Sequence, residues 1–253
     1  MTLPWSGARR RKRESTRRLR WPTGWLSPVL ATVSLAIGSF GLAQSGGGAN
    51  NQFGLWGSIE FRSSDYSAIH QWVGVVQRMR EQQATLDACR ADVTRCPSPE
   101  TTVWLSTIER LRGTSAENQV SEVNRVINSI IQYREDTVLY GLTDYWATPL
   151  ETLQRGGDCE DFAILKFAAL LALGFDNDDM RIVVVHDADR QVDHAILAVD
   201  MGDRTLILDN YGVPLPPRGR LGYRPDYSVN LTHRWTHFLT PELTQAFIAQ
   251  SLQ

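Results

Sequence analysis

The chain has 253 residues, 42% hydrophobic and 21% charged, with a formal net charge of -2. These proportions exclude a generally disordered chain and allow one sizeable domain or two small ones. Of 26 basic and 28 acidic residues, eight and one lie before residue 44, leaving 18 against 27 and a net charge of -9 in the body, which argues against nucleic acid as a partner.

The first 43 residues read as an export signal. Arg9–Arg13, Arg17, Arg18 and Arg20 make a basic start, the stretch from Trp21 to Ile59 is uncharged, and Trp25–Ala43 is mostly apolar. Gly41-Leu42-Ala43 offers the small residues that a signal peptidase cuts after. The alternative is an uncleaved membrane anchor, since the apolar run approaches spanning length. Either way the body is expected outside the cytoplasm. Residues 44–60 read as a linker merging into a single domain over 61–253, with no internal repeat.

Helical periodicity follows. Residues 67–90 predict a helix with Ile69, Trp72, Val73, Val76 and Met79 on one face. Cys89 to Thr101 contains Pro97 and Pro99 and is expected as a loop, and in an oxidising compartment Cys89 and Cys96 are close enough in sequence to pair. Shorter helices are expected over 102–111 and from Ser115, the latter with Val120, Val123, Val126, Ile127, Ile130 and Ile131 as its core stripe. Residues 140–154 hold Gly141, Pro149, Tyr145 and Trp146 and are expected to be irregular.

The chain then reaches Gly156-Gly157-Asp158-Cys159-Glu160-Asp161-Phe162, followed by strong helix formers up to Gly174, a C-terminal stop. Cys159 therefore belongs at a helix N-terminus, where free amides and the helix dipole favour a thiolate. The bland alternative is a small buried residue at a helix start. Beyond it, residues 181–186, 194–200 and 204–209 read as strands, the last two forming a hairpin across Met201–Asp203. Residues 210–232, with four of the eleven prolines, read as mostly loop, and Thr240-Pro241-Glu242 opens a final helix to about residue 252.

A nucleophilic cysteine needs a base, and the base an orienting group. If hairpin partners have numbers summing to about 404, His194 lies within a residue or two of Asp209 or Asn210. That set gives Cys159 as nucleophile, His194 as base and Asp209 as its holder, with backbone amides at the helix start for the oxyanion. His186 is the rival base. A metal site built from His186, Asp187, Asp189, Asp193 and His194 has no supporting spacing, and those aspartates read as turn residues. Asp158, Glu160 and Asp161 oppose thiolate formation unless they serve only as caps or a hard cation neutralises them, and Ca²⁺ fits oxygen donors in an extracytoplasmic space.

The Gly157-Asp158-Cys159-Glu160-Asp161 block, the apolar helix after it, the His194-Ala-Ile-Leu-Ala-Val strand and Leu208-Asp209-Asn210 resemble the bacterial transglutaminase-like cysteine proteinases. The resemblance runs from about Tyr145 to Trp235. It implies an α+β, papain-like/transglutaminase-like fold with a helical N-terminal lobe and an antiparallel sheet. It also implies a Cys159–His194–Asp209 triad and Ca²⁺ near the cysteine, held by Asp158 and Glu160, with Asp161 a weaker candidate. For function it implies a periplasmic endopeptidase that cuts near the N-terminus of a large surface adhesin, typically at paired alanines. It further implies control of biofilm attachment through an inner-membrane cyclic di-GMP receptor. Two other readings fit the same residues: a transglutaminase-type acyltransferase, and a non-catalytic receptor-binding module.

Overall fold

The computed structural model describes residues 54–219 and 222–240. The expected export signal and C-terminal helix lie outside them. The described residues open with a 3-10 turn over Leu55–Gly57 and strand β1 at Ile59–Ser63. Helices α1 (His70–Ala91), α2 (Pro99–Leu111) and α3 (Ala116–Ile130) come next, then the short α4 (Asp136–Leu139) and α5 (Pro149–Arg155), and the central α6 (Cys159–Leu173). Strands β2 (Met180–Asp187), β3 (Val192–Asp200), β4 (Thr205–Leu208), β5 (Tyr223–Val229) and β6 (Arg234–Phe238) complete the chain. The six strands form one antiparallel sheet in the order β1-β6-β5-β2-β3-β4. The expected α+β class holds. Among the described residues no helix is long and apolar enough to cross a membrane.

Helix α6 is the hub because it is apolar nearly all round: every residue from Glu160 to Leu170 is buried. A helix of that pattern is stable only inside other layers. It lies against β2 and β3 on one side and α2, α3 and α5 on the other. Gly174 ends it at φ 103°, donating its N–H to the Leu170 and Leu171 carbonyls, a left-handed stop that glycine adopts without strain. Trp72 of α1 packs edge-on against Phe167 and donates its indole N–H to the Asn230 carbonyl at 2.9 Å, tying the helical layer to the sheet. The opposite face of the sheet, with Val183, Val185, Ile196, Ala198, Ile207 and Tyr223, is covered by Leu55.

Several local expectations need correction. In α1 the buried position is Val75, while Val73 is exposed. Helix α2 starts at Pro99, because Ser98 caps the Thr101 amide and proline is tolerated at a first helical position. Residues 140–154 include the real helix α5, opened by a reciprocal capping box between Thr148 and Glu151. Residues 210–232 include β5, an interior strand that accepts Pro225 because its register with β2 shifts between Val184 and Val185. Cys89 and Cys96, by contrast, pair as their closeness in sequence allowed, in a disulfide at the end of α1. The β3–β4 hairpin is one residue wider than expected. Asp200 pairs with Thr205, and Gly202, at φ 88°, lies in a turn closed by Met201 N–H to the Arg204 carbonyl at 2.8 Å.

Candidate active site

The approach to α6 is fixed by two glycines. Gly156 has φ 84°, and a Cβ there would stand 2.4 Å from the Gln132 carbonyl. Gly157 donates to that carbonyl at 3.2 Å and accepts from Arg134 N–H at 2.9 Å. The segment after α3 is thereby stitched alongside the loop. Asp161 completes the turn: its carboxylate accepts Ala147 N–H at 2.6 Å and Asp158 N–H at 3.3 Å. Cys159 emerges as the first residue of α6, beside the free amides of its first turn.

The wide hairpin still delivers the histidine and the carboxylate to one place. His194 Nε2 lies 3.0 Å from Asp209 Oδ1. Asp209, wholly buried, also accepts the Tyr223 hydroxyl at 2.6 Å and the Tyr211 amide at 3.0 Å. Burial would raise its pKa, but His194 and these hydrogen bonds outweigh it and hold Asp209 below the ordinary range. The His194 ring is flanked by Tyr211 and Tyr223, with centroids 5.4 and 5.7 Å away. With Nε2 committed to Asp209, Nδ1 is the nitrogen left to exchange a proton. Cys159, His194, Asp158 and Asp136 line one cavity of about 470 Å³. The rival base His186 is half-exposed and bonded instead to Asp193 at 3.0 Å. Asp187 accepts the Asp189 and Arg190 amides and pairs with Arg190, so it organises a turn.

Around the cysteine the electrostatics are adverse. The thiol lies 3.1 Å from Glu160 Oε2 and donates to it. Burial pushes the Cys159 pKa well up, and the charges of Glu160 and Asp158 push it the same way. The carboxylates are themselves crowded. Asp136 and Asp144, which sequence reasoning missed, join Asp158, Glu160 and Asp161, with oxygens of Asp136, Asp144 and Glu160, and of Asp136, Asp158 and Asp161, all within 4.8 Å of one another. Burial, with the neighbouring Asp158 and Asp144, pushes Asp136 up to about 6. Burial and Glu160 raise Asp158, and burial raises Glu160 and Asp161.

This donor set suits a hard divalent cation. It is all oxygen, and Asp136 Oδ1 and Asp158 Oδ1 are buried with no hydrogen-bond partner, so two lone-pair sites stand ready. Asp161 differs, because both of its oxygens already accept backbone amides. Asp136 starts the four-residue α4, and Asp144 lies in the loop before α5. Neither carried a periodic or spacing signal. The readable hint was an acidic residue repeated just upstream of an already acidic block.

The family model for bacterial transglutaminase-like cysteine proteinases matches residues 84–227, a span that includes Cys159, His194 and Asp209. Structures of Legionella pneumophila LapG are similar. One match is 26% identical over 67% of this chain and 96% of that one, with a TM-score of 0.53. The calcium-bound form is 28% identical over 60% of this chain and 88% of that one, with a TM-score of 0.50. An EGTA-treated form matches at 26% identity and a TM-score of 0.52, over 67% and 96% of the two chains. No curated protein matches the sequence.

Proposed function

This chain belongs to the bacterial transglutaminase-like cysteine proteinases and is a cysteine peptidase, and from that premise we propose that it is a calcium-dependent endopeptidase acting outside the cytoplasm on the N-terminal region of a large surface adhesin. The observation that carries the chemistry is Cys159 at the start of α6 sharing one cavity with the His194–Asp209 pair. In this reading His194 Nδ1 takes the Cys159 proton, and the sulfur attacks the peptide carbonyl. Amides of the first turn of α6 receive the oxyanion, and the imidazolium returns the proton to the leaving amine. Water, deprotonated by His194, then attacks the thioester carbonyl; the C–S bond breaks, the acyl part leaves as a carboxylic acid and the proton returns to the Cys159 sulfur. Asp209 holds the ring by Nε2 and favours its charged form.

Calcium, held by Asp136, Asp144, Asp158 and Glu160, would supply positive charge beside the cysteine and neutralise the acids that oppose a thiolate. The buried oxygens without partners support this, as does the calcium-bound LapG structure. The Cys89–Cys96 disulfide supports an oxidising compartment such as the periplasm. Control of biofilm attachment and docking on an inner-membrane cyclic di-GMP receptor complete the proposal. The test is to incubate the protein with the N-terminal fragment of an adhesin from the same genome, with calcium, with EGTA, and as Cys159→Ala. A single cut that needs both calcium and Cys159 supports the proposal. Crosslinked product in place of a cut would move it to acyl transfer, and a cut indifferent to EGTA would remove the metal.

A further inference from the structure

The turn joining β2 to β3 is tied down residue by residue. Asp187, buried at the end of β2, accepts the Asp189 and Arg190 amides at 3.0 and 3.2 Å and the Arg190 guanidinium at 3.2 Å. Gln191 takes φ 57°, a left-handed conformation that an L side chain rarely adopts. It is held there by its N–H to the Asp187 carbonyl at 2.8 Å and its side-chain amide to the Ala188 carbonyl at 2.7 Å. The Ala188 amide donates in turn to the Gly222 carbonyl at 2.9 Å. What this turn presents is Arg190, whose guanidinium carbon stands 4.0 Å over the centre of the Tyr211 ring. Tyr211 belongs to the loop after β4, and its ring lies against His194 with centroids 5.4 Å apart. Its amide donates to Asp209 Oδ1, the same oxygen that His194 Nε2 engages. Arg190, Tyr211 and His194 all line the cavity that Cys159 also lines.

Of the two rings flanking His194, Tyr223 is buried and Tyr211 is 42% exposed, so Tyr211 is the one between the histidine and solvent. His194 itself is only 5% exposed. A hydrogen bond to a buried carboxylate is strongest where water cannot compete for the same oxygen. An aliphatic side chain at position 190 could lie on the tyrosine ring, but Asp187 would not fix it. A guanidinium offers its face to the ring and its N–H edge to a carboxylate at once. We propose that Arg190 is a positioning residue of the proteolytic site: braced by Asp187, it holds the Tyr211 ring as a cover over His194 and keeps water from the hydrogen bond between His194 and Asp209. The cover keeps Nε2 on Asp209 and leaves Nδ1 for the proton of Cys159. Without the brace the half-exposed tyrosine swings away, water reaches Asp209 Oδ1, and the imidazole turns more freely. The inference rests on the triad reading above.

The experiment reads the ring proton that His194 Nε2 shares with Asp209, by proton NMR of the purified chain, assigned by its absence in His194→Gln. In wild type this proton should exchange with water slowly enough to be seen, and saturation of the water signal gives its exchange rate. Arg190→Ala should raise that rate by about three- to ten-fold, the size expected for one partly exposed cation–π contact. Tyr211→Ala should raise it at least as far, and adding Arg190→Ala to Tyr211→Ala should then change it no further. An arginine that only ties the turn would lower Tm and leave the exchange rate in place, which overturns the proposal. So does a rate that rises by the same factor with and without the Tyr211 ring, and so does a wild-type proton that exchanges too fast to be seen. If Arg190→Ala does not fold, Arg190→Gln takes its place, and failure of both to fold overturns the proposal by making the arginine a requirement of the turn. Alkylation of Cys159 by iodoacetamide in wild type and His194→Gln separates the two readings. Alkylation indifferent to His194 sinks the triad, whereas His194-dependent alkylation with an exchange rate unmoved by Arg190→Ala sinks only the role of Arg190.

Discussion

Two buried histidines of the same sheet each stand beside a carboxylate and have opposite prospects. His237 on β6 has Nδ1 3.0 Å from Ser58 Oγ and Nε2 2.9 Å from Ser228 Oγ, with a Glu60 oxygen 3.3 Å away. Serine, histidine and carboxylate are thus assembled, yet both ring nitrogens are occupied. Arg181 engages Glu60 at 2.8 Å. The group is a clamp between the chain entering β1 and strands β5 and β6. His194 spends one nitrogen on Asp209, and its side chain lines a cavity that Cys159 also lines. Residue composition therefore does not make a site. An uncommitted nitrogen beside a nucleophile does.

The sharpest way to break this comparison is to remove each histidine. Cys159→Ala should lower kcat/KM on the adhesin fragment by at least ~10³-fold with Tm nearly unchanged, and His194→Ala should lower it as far while also lowering Tm, because the buried Asp209 loses a partner. His237→Ala should do the reverse, costing about 2–4 kcal/mol in urea unfolding while each folded molecule still cuts. A His237→Ala protein that is stable but inactive would place the wrong histidine in the site.

Next in size is the clamp's response to acid. Burial pushes His237 down to about 4, below the ordinary value of 6.5, so the unfolded chain takes up this proton first. The stability it contributes is complete above about 6.5 and is lost as pH falls toward 4, by about 3 kcal/mol. Urea unfolding of wild type should show this loss between pH 7 and 4, and His237→Gln should show less of it.

The acid cluster has the opposite sign. Its pKa values are raised, Asp136 to about 6, so without metal the folded state is favoured at low pH and loses stability as pH rises through that value. Calcium should therefore raise Tm by a few degrees more at pH 8 than at pH 5, and Asp136→Asn should flatten the difference. The smallest effect is expected at the exposed rival. His186→Ala should change the cutting rate less than about two-fold, since a surface histidine paired with an exposed aspartate has little to lose.

What could be read in advance was local. The apolar run after Cys159, stopped by Gly174, is a helix by composition alone. The β3–β4 hairpin brought His194 near Asp209 even with its turn misjudged by one residue, because a side chain at a strand end reaches diagonally. The capping box at Thr148-Pro149-Leu150-Glu151 was also written in plain residues, and was overlooked beside Gly141 and the aromatics. The rest depended on distant parts of the chain. Pro225 disguised β5 until a shifted partner strand could be seen. Asp136 and Asp144 come to Glu160 only because the loops before α6 fold back over it. Ser58, Glu60, Ser228 and His237 share no spacing that a sequence displays.

The sheet order also dictates when the fold can finish. Strand β1 pairs with β6, and Ser58 meets a histidine 179 positions later. On a chain made from its amino end, β1 stays unmatched until β6 has emerged. Until then β1 displays Phe61 on an open edge, where the finished sheet sets it against Phe238 with ring centroids 5.5 Å apart. Nascent or nicked chains that lack residues 234–238 are thus the species most prone to self-association, because β1 has lost its partner strand.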